Sequence, residues 1–277
     1  MPDLEKVLLE LEDALDADDL RAAGDACSTA GQIFLERNLY QDASQYYHEA
    51  SDHYGTLGEN KLQAKALNHL GICQIMLKDA AGALENLEEA FALLSGSPDS
   101  TLQIAIQGNI GLAHSALNNH ARAIQAHKMV LESAEEKGDD PLRLNALINL
   151  ADSNLQNKNY ISAQGFALVG LDLAKKIPSN PGLVILYDLL GMISSRQGNL
   201  KDAVGYHQQS CQVAQENGDL LRQGIALANK GLALEGLTDL EDALEAMSQA
   251  EELFTLLNSS YLEKTRRDLE RVRKARA

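Results

Sequence analysis

The sequence has no tryptophan, and aromatic residues make up 4% of its 277 residues. Hydrophobic residues as a whole account for 45% of the chain. A buried core is therefore expected to consist mainly of leucine, alanine and isoleucine.

Cysteine is also scarce. The three cysteines, Cys27, Cys73 and Cys211, are odd in number and form no CxxC pair. This usage is typical of reduced thiols in a cytoplasmic protein, and far less typical of a disulfide framework.

Long apolar runs and a basic leader are missing as well. The first residues, MPDLEKVLLELEDAL, are acidic and lack the positively charged start of a signal peptide. No apolar stretch reaches the roughly 18–20 residues that a membrane-spanning helix needs. The sequence predicts no targeting peptide and no membrane association.

Basic residues are outnumbered, with 24 Lys and Arg against 40 Asp and Glu, for a net charge of −16. Such a surface repels nucleic acid and anionic membranes, so neither is an expected partner. Neutral or basic protein partners are slightly favoured.

Motifs for catalysis are absent. The chain has no GxxxxGK[ST], GxGxxG or GxSxG segment, and His114, His120 and His127 do not have the spacing of HExxH. We therefore predict a protein that is not an enzyme and that binds neither a metal nor a cofactor.

What the sequence does contain is a 40-residue repeat. One column holds glycine in five of six positions, and a second column twelve residues later holds alanine in all six. The first column is Gly31, Gly71, Gly111, Ala151, Gly191 and Gly231, and the second is Ala43, Ala83, Ala123, Ala163, Ala203 and Ala243. Apolar residues at helical spacing around both columns predict two helices in each repeat.

The repeats define a single predicted domain over residues 1–277. Six helical pairs span 20–257, with one capping helix at 3–16 and another at 259–276. Each pair turns at a short polar link such as Gly198-Asn199. Helix-stop residues recur between the pairs, namely Gly58, Gly138 and Gly218, with Pro98 and Pro178 at the same repeat position in between.

Small residues in both columns let the two helices of a pair approach closely. That packing must outweigh the roughly 1 kcal/mol that glycine costs inside a helix relative to alanine.

These features resemble the tetratricopeptide repeat, which has a Leu-Gly pair in its first helix and an alanine twelve residues after the glycine. The 40-residue period, Asn109 and Asn229 two residues before a glycine, and the second-helix His127 and His207 are similar to the repeats of LGN/Pins-type adaptors and kinesin light chains. The resemblance covers about residues 20–257. It implies an all-α fold, a right-handed α-solenoid whose first helices line a concave groove.

On that groove we expect the residues three before, one after and four after the glycine to form one helical face. The predicted partner-binding residues are Asn68, Ile72, Ile75, Leu112, Ser115, Asp152, Leu155, Asp188, Met192 and Ser195. Alternatively, the aliphatic members are simply buried against a neighbouring helix. The asparagines at 109, 149 and 229 either bond a peptide backbone or, as we favour, brace adjacent repeats.

Chaperone-binding members of the family hold a C-terminal carboxylate with Lys, Asn and Arg on this face. The matching positions in this chain are Ser28, Gln32, Asn68, Ile72, Gly108 and Leu112. The resemblance therefore does not extend to that carboxylate clamp.

The sequence predicts a non-enzymatic scaffold or adaptor that binds a protein or peptide segment in the groove. One alternative is a regulatory domain that senses a peptide. Another is a self-assembling scaffold, because the first helix is acidic and the last is rich in Lys and Arg, which would allow weak association between chains.

Overall fold

The computed structural model describes residues 3–96, 100–177 and 181–276, and these residues form helices without strands. The predicted all-α solenoid fold of paired helices is confirmed. The helices are α1 Leu4–Asp16, α2 Leu20–Glu36, α3 Tyr40–Thr56, α4 Asn60–Met76, α5 Ala80–Leu93, α6 Ser100–Ala116, α7 His120–Lys137, α8 Asp140–Gln156, α9 Tyr160–Ala174, α10 Gly182–Arg196, α11 Leu200–Glu216, α12 Leu220–Gly236, α13 Leu240–Leu256 and α14 Leu262–Arg276.

The chain divides into two compact units, Met1–Gly138 and Asp139–Ala277. Unit 1 holds α1 and the first three helical pairs, and unit 2 holds the last three pairs and α14. The division falls at a boundary between repeats. In both units, each helix packs mainly on the next helix along the chain, as a repeat architecture requires.

The predicted turns and stops are found where the sequence places them. The second residue after the first helix of each pair has a positive φ, as at Asn118 (59°) and Lys158 (62°). Gly58, Gly138 and Gly218 adopt the left-handed conformation between pairs, with φ of 69°, 64° and 70°. The predicted stops Pro98 and Pro178 lie outside the described residues.

Aspartates cap several helices. Asp139 accepts a hydrogen bond from the backbone N–H of Leu142 at 3.0 Å, and Asp219 accepts from Arg222 at 3.0 Å. These side chains satisfy N–H groups that the helix itself leaves unpaired.

The glycine column makes room for a large side chain on the second helix of the same pair. A Cβ built on Gly71 would lie 2.7 Å from Cγ of Leu87, sixteen residues later. The same clash, at 2.5 Å, would occur between Gly191 and the His207 ring. In general the glycine therefore accommodates a side chain, in addition to letting the backbones approach each other.

The fourth repeat reverses this arrangement. Its glycine is replaced by Ala151, and the residue sixteen positions later is Ala167 instead of a large side chain. Both alanines are fully buried. The extra methyl group in the first helix is thus matched by a smaller residue in the second.

All three cysteines are free thiols with buried side chains. Burial raises the pKa of Cys27 to about 12 and that of Cys73 to about 11, so both stay protonated at neutral pH. They act as small apolar packing residues of the core clusters.

The last helix, α14, covers the end of unit 2. Thr265, Leu269 and Val272 are its buried residues, and they pack towards α13 and α12. Its other face carries arginines that pair with unit 2 carboxylates, including Arg271, whose Nε and Nη2 donate to Glu235 at 2.8 and 2.7 Å. These hydrogen bonds lower the pKa of Glu235.

Candidate functional site

The five predicted groove residues of unit 1 differ in their exposure. Leu112 is 38% exposed, whereas Ile72, Ile75 and Ser115 are half-buried. Ile75 packs against the main apolar cluster of unit 1, so part of its surface serves the core.

Asn68, the fifth, is buried and bridges two repeats. Its Oδ1 accepts a hydrogen bond from Nδ2 of Asn109 at 2.8 Å, which joins α4 to α6. At this pair the repeat asparagine braces neighbouring repeats, which is the interpretation that the sequence favoured. A partly buried amide pair of this kind also favours one register of the two helices.

Unit 1 contains a polar cavity of about 270 Å³ between α2, α3 and α4. The Tyr54 hydroxyl donates to Asp25 at 2.7 Å at its edge, and Ser28 lies 3.3 Å from the same hydroxyl. Burial raises the pKa of Tyr54 to about 12. Because these groups bond one another, the polar side chains of this cavity are largely satisfied within the fold.

The larger cavity lies in unit 2 and measures about 470 Å³. It opens between the C-terminal halves of α8, α10 and α12, which are the first helices of three successive repeats. The lining residues are Leu155, Gln156, Lys158, Tyr160, Met192, Ser195, Arg196, Leu200, His207, Asn229, Leu232, Ala233 and Lys264. This volume is in the range of small-ligand sites.

Three of the five groove residues predicted in unit 2 meet in this cavity: Leu155, Met192 and Ser195. Leu155 and Ser195 hold the same repeat position on α8 and α10, and Met192 lies one turn before Ser195 on α10. Asp152 and Asp188 do not line it. Asp152 accepts a hydrogen bond from Gln156 at 3.1 Å and so orients one lining residue.

Asp188 acts on the cavity through His207. The His207 ring is 1% exposed, and its Nδ1 lies 3.0 Å from Oδ1 of Asp188. Gly191 packs on the ring edge, where a Cβ would lie 2.5 Å from Cε1. The ring therefore has one fixed orientation at the cavity wall.

Charge distinguishes this cavity from the rest of an acidic chain. Lys158 comes from the turn after α8, Arg196 from the last turn of α10 and Lys264 from the first turn of α14. Among the described residues that line the cavity, none is Asp or Glu. The sequence had suggested a groove with carboxylates; the structure instead brings three cations to the cavity.

Sequence reasoning missed those cations because none lies on the predicted helical face. Lys158 and Arg196 follow the face positions at the end of each first helix, where the turn brings them to the rim. Lys264 belongs to the capping helix, which has no repeat position. For Lys158 and Arg196 a usable signal was present, since both lie within three residues of the predicted Leu155 or Ser195.

Among the described residues no helix is long and apolar enough to cross a membrane. The same residues contain no group of three or more His, Cys, Asp or Glu that could hold a metal ion.

A family model described as tetratricopeptide repeat matches residues 62–136. No curated protein matches the sequence.

Solved structures share the fold at low identity. The apo form of the quorum sensor NprR from B. thuringiensis has a TM-score of 0.73 and 15% identity, over 99% of this chain and 80% of that one. A Rap protein complexed with competence and sporulation factor has a TM-score of 0.63 and 14% identity, over 99% and 88%. TPR-like repeats of a Podosopora anserina putative kinesin light chain give 0.59 and 17%, over 71% and 97%.

Proposed function

The chain is a tetratricopeptide repeat protein, and from that premise we propose that it is a non-enzymatic adaptor that binds a peptide segment of a partner protein in the unit 2 cavity. The observation that carries this proposal is the convergence of Leu155, Met192 and Ser195 on one cavity of about 470 Å³. Three successive repeats contribute to it, and an extended segment is the ligand that can contact them all.

The wall of the cavity suits a peptide. Leu155, Met192 and Leu232 offer apolar surface for an anchoring side chain. Asn229 and Gln156 offer amide groups that can bond a peptide backbone. Apolar walls with a few placed polar groups are the usual composition of a ligand site.

The groove residues of unit 1 remain part of the proposal as a second contact region. Leu112 and Ile72 present apolar surface there, and Ser115 and Ile75 flank them, while Asn68 supports α4 from within. We assign the principal site to unit 2 because its predicted residues line a cavity together.

A second candidate function is that of a regulatory domain that senses a peptide signal. It is favoured by structural similarity to a quorum sensor and to a Rap protein complexed with competence and sporulation factor, each of which aligns with 99% of this chain. A sensor changes conformation on binding, whereas a simple adaptor does not. Small-angle scattering with and without bound peptide separates the two.

Self-assembly through charged ends has less support. Arg266, Arg271 and Arg276 of α14 pair with Glu251, Glu235 and Glu241 of the same unit. Their charges are already compensated within the chain. A light-scattering mass that stays monomeric from low to high salt would exclude this alternative.

The cavity assignment predicts a specific loss of binding when the cavity is filled. Ser195→Trp places a bulky ring in the cavity. It is expected to lower the affinity for peptides that the original protein selects from a random displayed library by about tenfold or more. The measurement is the dissociation constant from fluorescence anisotropy, with circular dichroism as the check on folding.

The matched control is Ser162→Trp. Ser162 is exposed on α9 and does not line the cavity. The control should bind like the original protein. Equal weakening by both variants, or no enrichment of any peptide from the library, would refute the cavity as the binding site.

A further inference from the structure

We propose that the group recognised in the unit 2 cavity is a peptide carboxylate, held by Lys158, Arg196 and Lys264. This inference rests on the proposed function, because it specifies the chemistry of the segment that binds there. The expected ligand is a short peptide with an acidic side chain or free C-terminus next to an aliphatic residue.

The three cations of the cavity differ in their pairing from the neighbouring arginines. Within the part of the chain that the structure describes, none of them forms an ion pair with a carboxylate. The neighbouring arginines of α14 do, as Arg271 shows with Glu235 at 2.7 Å. In a chain of net charge −16, three unpaired cations on one cavity form a local site for an anion.

The helix dipole accounts for only part of this arrangement. A cation stabilises the last turn of a helix by about 0.3–1 kcal/mol, which covers Arg196 and, just beyond α8, Lys158. Lys264 lies in the first turn of α14, where the dipole disfavours a positive charge. Its position needs another explanation, and a bound anion supplies one.

The carbonyl ends of α8 and α10 oppose an anion with their partial negative charge. That effect fades within a turn and corresponds to about half a charge per helix. Three full positive charges exceed it. Affinity for an anion should therefore be lost steeply as these cations are removed.

The backbone positions of the cations are fixed by the fold. Lys264 precedes the buried Thr265, and α14 is held to unit 2 by buried Leu269 and by the Arg271–Glu235 pair. Side chains on a fixed frame lose less entropy on binding than those on a loose loop.

The rest of the cavity points to a peptide. Met192, Leu155 and Leu232 line the same cavity as the cations and offer apolar surface that a bare inorganic anion would not cover. A carboxylate attached to an aliphatic residue would bury that surface and reach the cations together.

This site differs in place from the carboxylate clamp of the chaperone-binding members of the family. The clamp positions hold Ser28 and Gln32 in the first repeat and carry no cation in this chain. The cations of the unit 2 cavity come instead from a turn, a helix end and the capping helix.

The experiment compares the full chain with two triple variants on an array of random nonapeptides. The first variant carries Lys158→Gln, Arg196→Gln and Lys264→Gln. The control removes the same charge from exposed positions of unit 2 outside the cavity, with Lys175→Gln, Lys201→Gln and Arg273→Gln. Each peptide is present with a free C-terminus, as a C-terminal amide, and with Asp and Glu replaced by Asn and Gln.

The cavity variant should lose at least about tenfold in affinity for the best peptides, while the control variant keeps it. A loss of affinity on C-terminal amidation identifies a terminal carboxylate as the bound group. A loss of affinity on Asn/Gln replacement identifies an acidic side chain. Either result supports the inference. Higher salt should also weaken binding by screening the charges.

The inference is overturned if the best peptides bind the original protein equally tightly as amides and as Asn/Gln forms, or if the cavity variant binds them with unchanged affinity. Sensitivity of those peptides to Ser195→Trp would then leave the proposed function standing. Insensitivity to Ser195→Trp would remove the proposed function itself.

Discussion

Replacing Gly71 with alanine is expected to destabilise the protein by about 1–3 kcal/mol, because the new methyl group would overpack a filled space. Its Cβ would lie 2.7 Å from Cγ and 2.9 Å from Cδ2 of Leu87, a residue with no exposed surface. Alanine favours a helix over glycine by about 1 kcal/mol, so the steric cost must exceed that gain. Urea denaturation followed by circular dichroism measures the change.

The control follows the residue pair that the fourth repeat uses at these two positions. There Ala151 and Ala167 occupy the positions of Gly71 and Leu87, and both are fully buried. In a Leu87→Ala background, the Gly71→Ala change should be neutral or stabilising, since the clash is gone. Leu87→Ala alone should cost about 2–5 kcal/mol through the cavity it leaves.

The decisive quantity is the coupling energy of this double-mutant cycle. Overpacking predicts a coupling of about 1–3 kcal/mol in favour of the double variant. Additive effects of the two substitutions would show that the glycine is required for another reason, such as backbone conformation. Hydrogen exchange of α4 and α5 amides locates the loss of stability in unit 1.

The repeat period explains why so much of the fold could be predicted. The six alanines from Ala43 to Ala243 have no exposed surface, which is why no larger residue is found in that column. The helix pairs and the turns between their helices follow from the same columns. The residue sixteen positions after each glycine can also be identified from the repeat period. Only the structure shows that its side chain packs against the glycine.

The candidate site was less accessible, because it depends on residues that break the period. Met192 and Ser195 could be found as members of a face that recurs in every repeat. Lys264 could not, since its place at the cavity depends on how α14 packs on α13. That packing uses Thr265, Leu269 and Val272, residues of a kind that any amphipathic helix would offer. Non-repeating contacts carry information that the period of a sequence does not contain.

Replacing His127 with leucine is expected to stabilise the protein, and the gain should grow as the pH falls. The His127 ring is 1% exposed, and neither nitrogen has a hydrogen-bond partner among the described residues. Leaving a buried polar group unpaired costs about 1–3 kcal/mol. Leu87 occupies the equivalent position in the second repeat, so an aliphatic side chain fits this packing.

The pH dependence follows from the histidine pKa. Burial lowers the pKa of His127 from 6.5 to about 4. Between these values the unfolded chain binds a proton at this site and the folded chain does not. Stability is therefore lost as the pH falls from 6.5 to about 4, by up to about 3 kcal/mol at 1.36 kcal/mol per pKa unit.

Subtracting the stability of the original protein from that of His127→Leu isolates this contribution from the many carboxylates that titrate in the same range. The difference should rise steadily as the pH is lowered through that window. His48→Leu is the matched control, because His48 is 66% exposed. Parallel stability curves for the original protein and His127→Leu would show that His127 does not resist protonation.

A second variant, Gly108→Asp, gives the His127 ring a carboxylate partner instead of removing the ring. In the fifth repeat the equivalent ring, His207, has Asp188 at 3.0 Å, whereas the third repeat has Gly108 at that position. Beyond its own helix, a Cβ built on Gly108 meets only Val130, at 3.8 Å, so the backbone has room for a side chain.

Gly108→Asp should supply the missing acceptor and favour the charged ring, which raises the pKa of His127. The loss of stability below pH 6.5 should then shrink, and a loss as large as that of the original protein would mean that desolvation outweighs the new charge pair.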